Sequence, residues 1–431
     1  MRSAGLKFAL ITTFYPPFHF GGDGVYVRNH AHALVRRGHS VDVIHSVDPF
    51  VVLGGNQSLN APDEPDGIRV FSVKSRFPKL SVLATHQTGR PVFHGRELRK
   101  ILESNQYDVI HFHNVSLVGG PDILSYGTGI KLYTAHEHWL VCPTHILWKN
   151  NKEICQSKAC VTCTLRHRRP PQLWRYTNLL ENRSKHVDVF MALSQSSADA
   201  HSTFGFKPEM KVFPSFVPEP LIRRKDQETG VVRPYFLFVG RLERIKGLQD
   251  VLPLFVDGIN ADLLVAGTGD LKDQLELQAQ GVRNIKFLGQ VAADELAALY
   301  RDATALIVPS RCLEVFPLVA LEAFRVATPV VATDQGPFPE LIKKTRAGLT
   351  YTGAEDLRSK LKRLLGDPAL RNIMGQAGLA AYHRYWTEDT VFTEYFSVIR
   401  RVADQRGLDA TNAMLERCDD SGYLQSPPPP E

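Results

Sequence analysis

The stretch Tyr235-Phe236-Leu237-Phe238-Val239-Gly240-Arg241-Leu242-Glu243-Arg244-Ile245-Lys246-Gly247 decides the fold. Five apolar residues read as a buried strand. A glycine turn with two cations follows, and helical spacing resumes over 247–255. The unit then repeats, with strands at 261–266, 285–288, 305–309 and 329–333 and helices at 270–280, 293–300 and 318–326. Helices at 354–365 and 368–384 follow. Upstream the same alternation gives strands at 6–12, 41–44, 108–112, 131–134 and 187–193, and a helix over 25–37 that Gly38 ends. Strands alternating with helices mean parallel sheets covered on both faces. The proline-rich, aperiodic stretch 214–234 separates the two halves.

The fold class is therefore α/β, with two Rossmann-like doubly wound domains and a cleft between them. The reading assigns 1–215 to a first domain with a cysteine-containing insert at 142–163. Residues 216–385 form a second domain, 386–403 a helix returning to the first domain, and 404–431 a disordered tail. A chain of 431 residues suits two such domains. No run of 18 apolar residues suggests a membrane span. The N-terminal residues lack the separate apolar region and cleavage site of a signal peptide, so the expectation is a cytoplasmic protein with reduced thiols. The net charge of +6 suits anionic ligands, such as nucleotide phosphates or an acidic membrane surface. No basic stripe interleaved with aromatics points to nucleic acid.

Glu314-Val315-Phe316-Pro317-Leu318-Val319-Ala320-Leu321-Glu322 sets two glutamates eight residues apart around a helix start. The N–H groups of Leu318 and Val319 are candidate phosphate donors there. Glu322 could accept both ribose hydroxyls, and Glu314 could bond a sugar; a solvated helix face would also explain them. Arg241 and Lys246 could clamp a pyrophosphate, and the same pair would suit a charged surface turn. Gly21-Gly22-Asp23-Gly24 follows the first strand, where glycine permits close backbone approach. Gly289, at another strand end, could offer backbone groups to a nucleobase.

These motifs occur in one order with Asp108-Val109-Ile110-His111-Phe112-His113-Asn114 and Thr328-Pro329-Val330-Val331-Ala332. Together they resemble the retaining glycosyltransferases of family 4 (glycosyl transferases group 1), which have the GT-B fold, from about Leu6 to Tyr395. The resemblance implies that 1–215 is the acceptor side, that 216–385 binds the nucleotide sugar, and that Arg241 and Lys246 bind the diphosphate of a UDP-, GDP- or ADP-sugar. It implies that Glu314, with Phe316 beside it, holds the transferred sugar, that Glu322 holds the ribose, and that Gly21 and Gly22 approach the donor. His136, in Thr134-Ala135-His136-Glu137, matches a family histidine near the reaction centre. The family often has glycine where this chain has Pro317, which removes one N–H. The resemblance further implies retention through an oxocarbenium-like state, with no protein nucleophile and no catalytic metal. The acceptor would be a sugar or a lipid-linked sugar in polysaccharide or glycolipid assembly. An epimerase of the same fold and a non-catalytic nucleotide-sugar-binding subunit are the rival readings.

Cys142, Cys155, Cys160 and Cys163 lie close together in a polar insert, the last two as Cys-x-x-Cys. Four such thiols suit a structural Zn²⁺. The irregular spacing leaves unligated thiols, disulfides or an iron–sulfur cluster open. If zinc is bound, it would brace the acceptor-side loop after His136. The basic, aromatic stretch 166–176 suits either an anionic membrane surface or a solvated helix entrance.

Overall fold

A computed structural model describes residues 5–54, 63–219, 233–256 and 258–420. The chain divides into two compact units. The first comprises 1–145, 157–213 and 388–431; the second comprises 146–156 and 214–387.

The strands run in chain order as β1 (Lys7–Ile11), β2 (Ser40–Ser46), β3 (Ile68–Val73), β4 (Val109–Phe112), β5 (Ile130–Ala135), β6 (Trp148–Lys149), β7 (Glu153–Ile154), β8 (Val189–Ala192) and β9 (Met210–Val212). They continue as β10 (Tyr235–Val239), β11 (Asp262–Ala266), β12 (Ile285–Gly289), β13 (Ala305–Val308), β14 (Val330–Thr333) and β15 (Gly348–Tyr351). The first unit holds the sheet β3-β2-β1-β4-β5-β8-β9 and the second β12-β11-β10-β13-β14-β15. Within both sheets neighbouring strands are parallel. Central strands such as β5 and β11 are buried along their whole length, as a sheet covered on both faces requires.

Each sheet reverses its order once. The reversal falls between β1 and β4 in the first and between β10 and β13 in the second. In open parallel sheets, ligands bind beyond the carboxyl ends of the strands at such a reversal. The loops after β1, β4, β10 and β13 are therefore the places to look for chemistry.

The returning helix is Glu388–Arg406, and it belongs to the first unit. Its first turn receives Arg37, which is fully buried. Arg37 Nη1 donates to Glu388 Oε1 and Nη2 to Asp389 Oδ1, each at 2.5 Å, and its guanidinium lies 4.5 Å from the centre of the Phe392 ring. Removing one partner of a buried ion pair strands the other charge. Arg37→Ala is expected to cost about 3 kcal/mol, read as a lower first-unit transition in calorimetry. An unchanged transition would show that the pair contributes nothing net.

Three expectations are corrected. Residues 146–156 group with the second unit, so the 142–163 insert does not belong wholly to the first. The predicted tail is helical over Asp409–Asp420, because Leu415 is fully buried and anchors an otherwise polar helix; residues 421–431 lie outside the described residues. The change of unit comes at 213/214, two residues before the predicted 215/216. Among the described residues, no helix is long and apolar enough to cross a membrane.

Candidate active site

In the second unit, β10 ends at Val239 and the chain turns at Gly240 into the short helical turn Arg244–Lys246. Gly247 closes it with φ 75°, and a Cβ there would lie 1.8 Å from the Pro309 carbonyl oxygen. Only glycine permits this approach. It brings the β10 loop against the loop after β13, so Lys246 meets a residue 68 positions away. Lys246 Nζ donates to Glu314 Oε1 at 2.7 Å, and the buried Ser310 hydroxyl donates to the same oxygen at 2.6 Å. Burial works against both charges, but the pairing prevails. Glu314 holds the Lys246 ammonium above its usual range, and Lys246 with Ser310 holds the Glu314 carboxyl below its own. Arg241 Nη1 pairs with Glu243 Oε1 at 2.7 Å on the more exposed side. The Cys312 thiol is pushed up to about 12 by burial, then by Glu314, so it stays protonated and poorly nucleophilic.

Glu322 sits on the helix Leu318–Phe324 and accepts at Oε2 from the Tyr300 hydroxyl at 2.7 Å. Burial raises its carboxyl, against the opposing hydrogen bond from Tyr300. The phosphate role expected of this helix needs correction at Leu318. Its N–H donates to the Phe316 carbonyl at 3.2 Å instead of standing unpaired. Val319 is half-buried beside it. The helix is seven residues long, so its dipole is small and the cations carry the electrostatics. Gly289 ends β12 with φ 68° and open space where a Cβ would go.

In the first unit, Gly21 has φ 91° and caps the helix Gly22–Arg36; Gly21 and Gly22 are exposed. Asp23 accepts from the Gly24 N–H at 2.9 Å and from Asn114 Nδ2 at 3.3 Å, which ties the loop after β1 to the loop after β4. Burial, then the nearby Glu137 charge, raises the Asp23 carboxyl. His136 follows β5. Its Nε2 lies 2.9 Å from His113 Nδ1, and its ring centre lies 4.9 Å from that of Tyr26. Burial pushes its pKa down to about 4, so the ring is neutral at pH 7. His113 is thus the partner of His136. His111 packs instead, with Nε2 2.8 Å from the Thr134 hydroxyl and Nδ1 3.0 Å from the Tyr395 hydroxyl.

The four insert cysteines do not fit a tetrahedral thiolate site. Among the described residues, no three His, Cys, Asp or Glu side chains are grouped so as to hold one metal ion. Cys142 Sγ lies 3.2 Å from the Thr144 hydroxyl, and Cys155 falls in the segment that groups with the second unit. The Cys160 thiol is raised by burial, then by its neighbours Cys142 and Cys163.

Ser310, Tyr300, Asn114 and His113 position the predicted residues but were not assigned these roles from sequence. Ser310 lies four residues before Glu314 in the same loop and was within reach of pattern reading. Tyr300 was not, since nothing in the spacing links it to Glu322.

The chain matches the family Glycosyltransferase Family 4 over residues 20–219 and the family Glycosyl transferases group 1 over residues 222–380. It is 27% identical to an uncharacterized glycosyltransferase of Methanocaldococcus jannaschii, over 93% of this chain and 100% of that protein. Sucrose-phosphate synthase from Thermosynechococcus elongatus is similar in structure, with TM-score 0.71 and 19% identity over 93% of this chain and 100% of the other. Anabaena HepE in complex with UDP-glucose is also similar, with TM-score 0.63 and 17% identity over 91% and 99% of the two chains. With both halves matched in order and a doubly wound sheet in each unit, this chain belongs to the family 4 glycosyltransferases of the GT-B fold.

Proposed function

We propose that the enzyme moves a sugar, with retention of anomeric configuration, from a nucleoside diphosphate sugar to an acceptor hydroxyl in polysaccharide or glycolipid assembly. The observation that carries this reading is the Lys246–Glu314–Ser310 cluster at the order reversal of the second sheet. An ammonium has three donor hydrogens and Lys246 spends one on Glu314. The other two, with the Arg241 guanidinium, suit diphosphate oxygens. Negative charge grows on those oxygens as the sugar leaves, and fixed cations stabilise it most where water is excluded. Glu314 bonds hydroxyls of the transferred sugar, and Glu322 accepts from the ribose. Neutral His136, held by His113, serves as a hydrogen-bond partner to the sugar and not as a cation. The acceptor proton passes to the departing phosphate. We propose uridine as the base, since the similar Anabaena structure holds UDP-glucose.

Thermal shift with UDP, GDP and ADP tests this. A ligand that binds only the folded state stabilises it by mass action, by about 2.7 kcal/mol at a hundredfold excess over Kd, and so raises Tm. UDP is expected to stabilise the wild type and to lose most of that effect in Glu322→Ala. Equal stabilisation of both proteins would remove Glu322 from the site. Stabilisation by another nucleotide alone would overturn the base.

A further inference from the structure

β4 and β5 are parallel neighbours with Phe112 beside Tyr133, so the residues just past their carboxyl ends meet. There His113 Nδ1 lies 2.9 Å from His136 Nε2. Two ring nitrogens at that distance share one proton, one donating and the other accepting. Burial, then the neighbouring rings of His111, His136 and His30, keeps His113 from taking a second proton, and burial does the same for His136. Each ring therefore carries a single proton on one of its two nitrogens, and the bond between them ties the two choices together.

The far side of the His113 ring decides between them. Its Nε2 is buried and has no hydrogen-bond partner among the described residues. Packing holds the ring in place: its centre lies 4.0 Å from that of His111, and the His30 and Tyr26 rings stand edge-on to it at 5.8 and 6.1 Å. Turning the ring over would put a carbon where Nδ1 meets His136 and forfeit the bond. With its proton on Nε2, His113 would strand an N–H in the interior, which folded proteins avoid more strictly than an under-satisfied acceptor. With the proton on Nδ1, the N–H is spent on His136 and only a lone pair goes unmatched. His111 cannot take over this role, since its two nitrogens already face the Thr134 and Tyr395 hydroxyls.

We propose that His113 is a positioning residue that sets the tautomer of His136: His113 Nδ1–H donates to His136 Nε2, so His136 holds its own proton on Nδ1. Nothing among the described residues bonds His136 Nδ1, and the ring is partly exposed. That N–H is left to donate to a ligand. The ligand group it meets must then offer an oxygen lone pair, as a sugar hydroxyl or ring oxygen does. An ammonium or a bare C–H in the same place would gain no bond. The ligand's being a sugar rests on the transfer proposed above; the tautomer does not.

Nitrogen-15 NMR of the full chain labelled at histidine reads the tautomer, because protonated and bare ring nitrogens resonate far apart. His136→Gln identifies the His136 signals by their loss. The wild type is expected to show Nδ1–H at His136 with no ligand added. His113→Asn, whose amide N–H can stand in for Nδ1–H, should keep that pattern, whereas His113→Asp, whose carboxylate only accepts, should place a proton on His136 Nε2. Turnover of UDP-glucose with water as acceptor gives a second reading. There His113→Asp should lose about a hundredfold in kcat, as when one fixed donor is removed, and His113→Asn should stay within about tenfold of the wild type. Nε2–H at His136 in the wild type would overturn the proposal. So would equal losses of turnover in the two variants, which would mean that packing and not proton direction is at work. Because the NMR needs no donor, failure of the proposed transfer and failure of this inference are told apart.

Discussion

Lys246→Ala is expected to lower kcat/KM by about a thousandfold, the loss typical when one fixed donor to developing charge is removed. The variant also strands Glu314, whose carboxyl depends on Lys246 to stay below its usual range. Two controls separate these effects. Lys246→Arg keeps a cation and should retain more activity than alanine, although a planar guanidinium fits a point-charge site imperfectly. Glu314→Gln alone and with Lys246→Ala completes a cycle. If the residues act as one unit, the double variant should be little worse than either single one. A loss under tenfold in Lys246→Ala at unchanged Tm would mean that this ammonium does not meet the transition state.

The first unit should unfold in mild acid while the second holds. Of the 16 histidines, only His383 lies in 214–387. In the first unit, burial pushes His30, His39 and His138 down to about 3 and His45 and His136 to about 4. These side chains are neutral in the native state at pH values where the unfolded chain, titrating near 6.5, is already charged. The unfolded state therefore binds more protons between about 6.5 and 3, and native stability falls as pH falls through that window. At one unit below 6.5 each such histidine costs about 1.4 kcal/mol, and five together cost on the order of 5 kcal/mol or more, which rivals the whole stability of a domain. Differential scanning calorimetry at pH 7.5 and 5.5 should show one transition moving down steeply and the other nearly fixed. Parallel shifts of both would show that these rings are not buried neutral.

The sheet interiors were legible in sequence because strands such as β10, β13 and β11 after Asp262 are continuous apolar runs between turn residues. Apart from the two-residue ribbon strands β6 and β7, the strands that went unread are β3, β9 and β15. Each lies at a sheet edge, where one flank is open and the apolar run is broken, as in Ile68–Val73, of which only Val73 is buried. The same contrast governs the site. Arg241, Lys246, Glu314 and His136 stand at strand ends, where pattern reading finds them. Their supports are set by tertiary approach: Ser310 and Lys246 converge on Glu314 only because Gly247 lets two loops touch, and Tyr300 reaches Glu322 from another helix.

The return of the chain to its own beginning has a consequence for synthesis. Tyr395, Phe392 and Glu388 complete a core whose other members include His30, Arg37 and His111. As the chain leaves the ribosome, residues 1–213 emerge at least 175 residues (388 − 213) before the helix that must cover them. The second unit, contiguous over 214–387 apart from one ribbon, is complete before residue 388 emerges. The half of the protein made last is thus able to close first, and the half made first waits with its histidines wet until the final helix arrives.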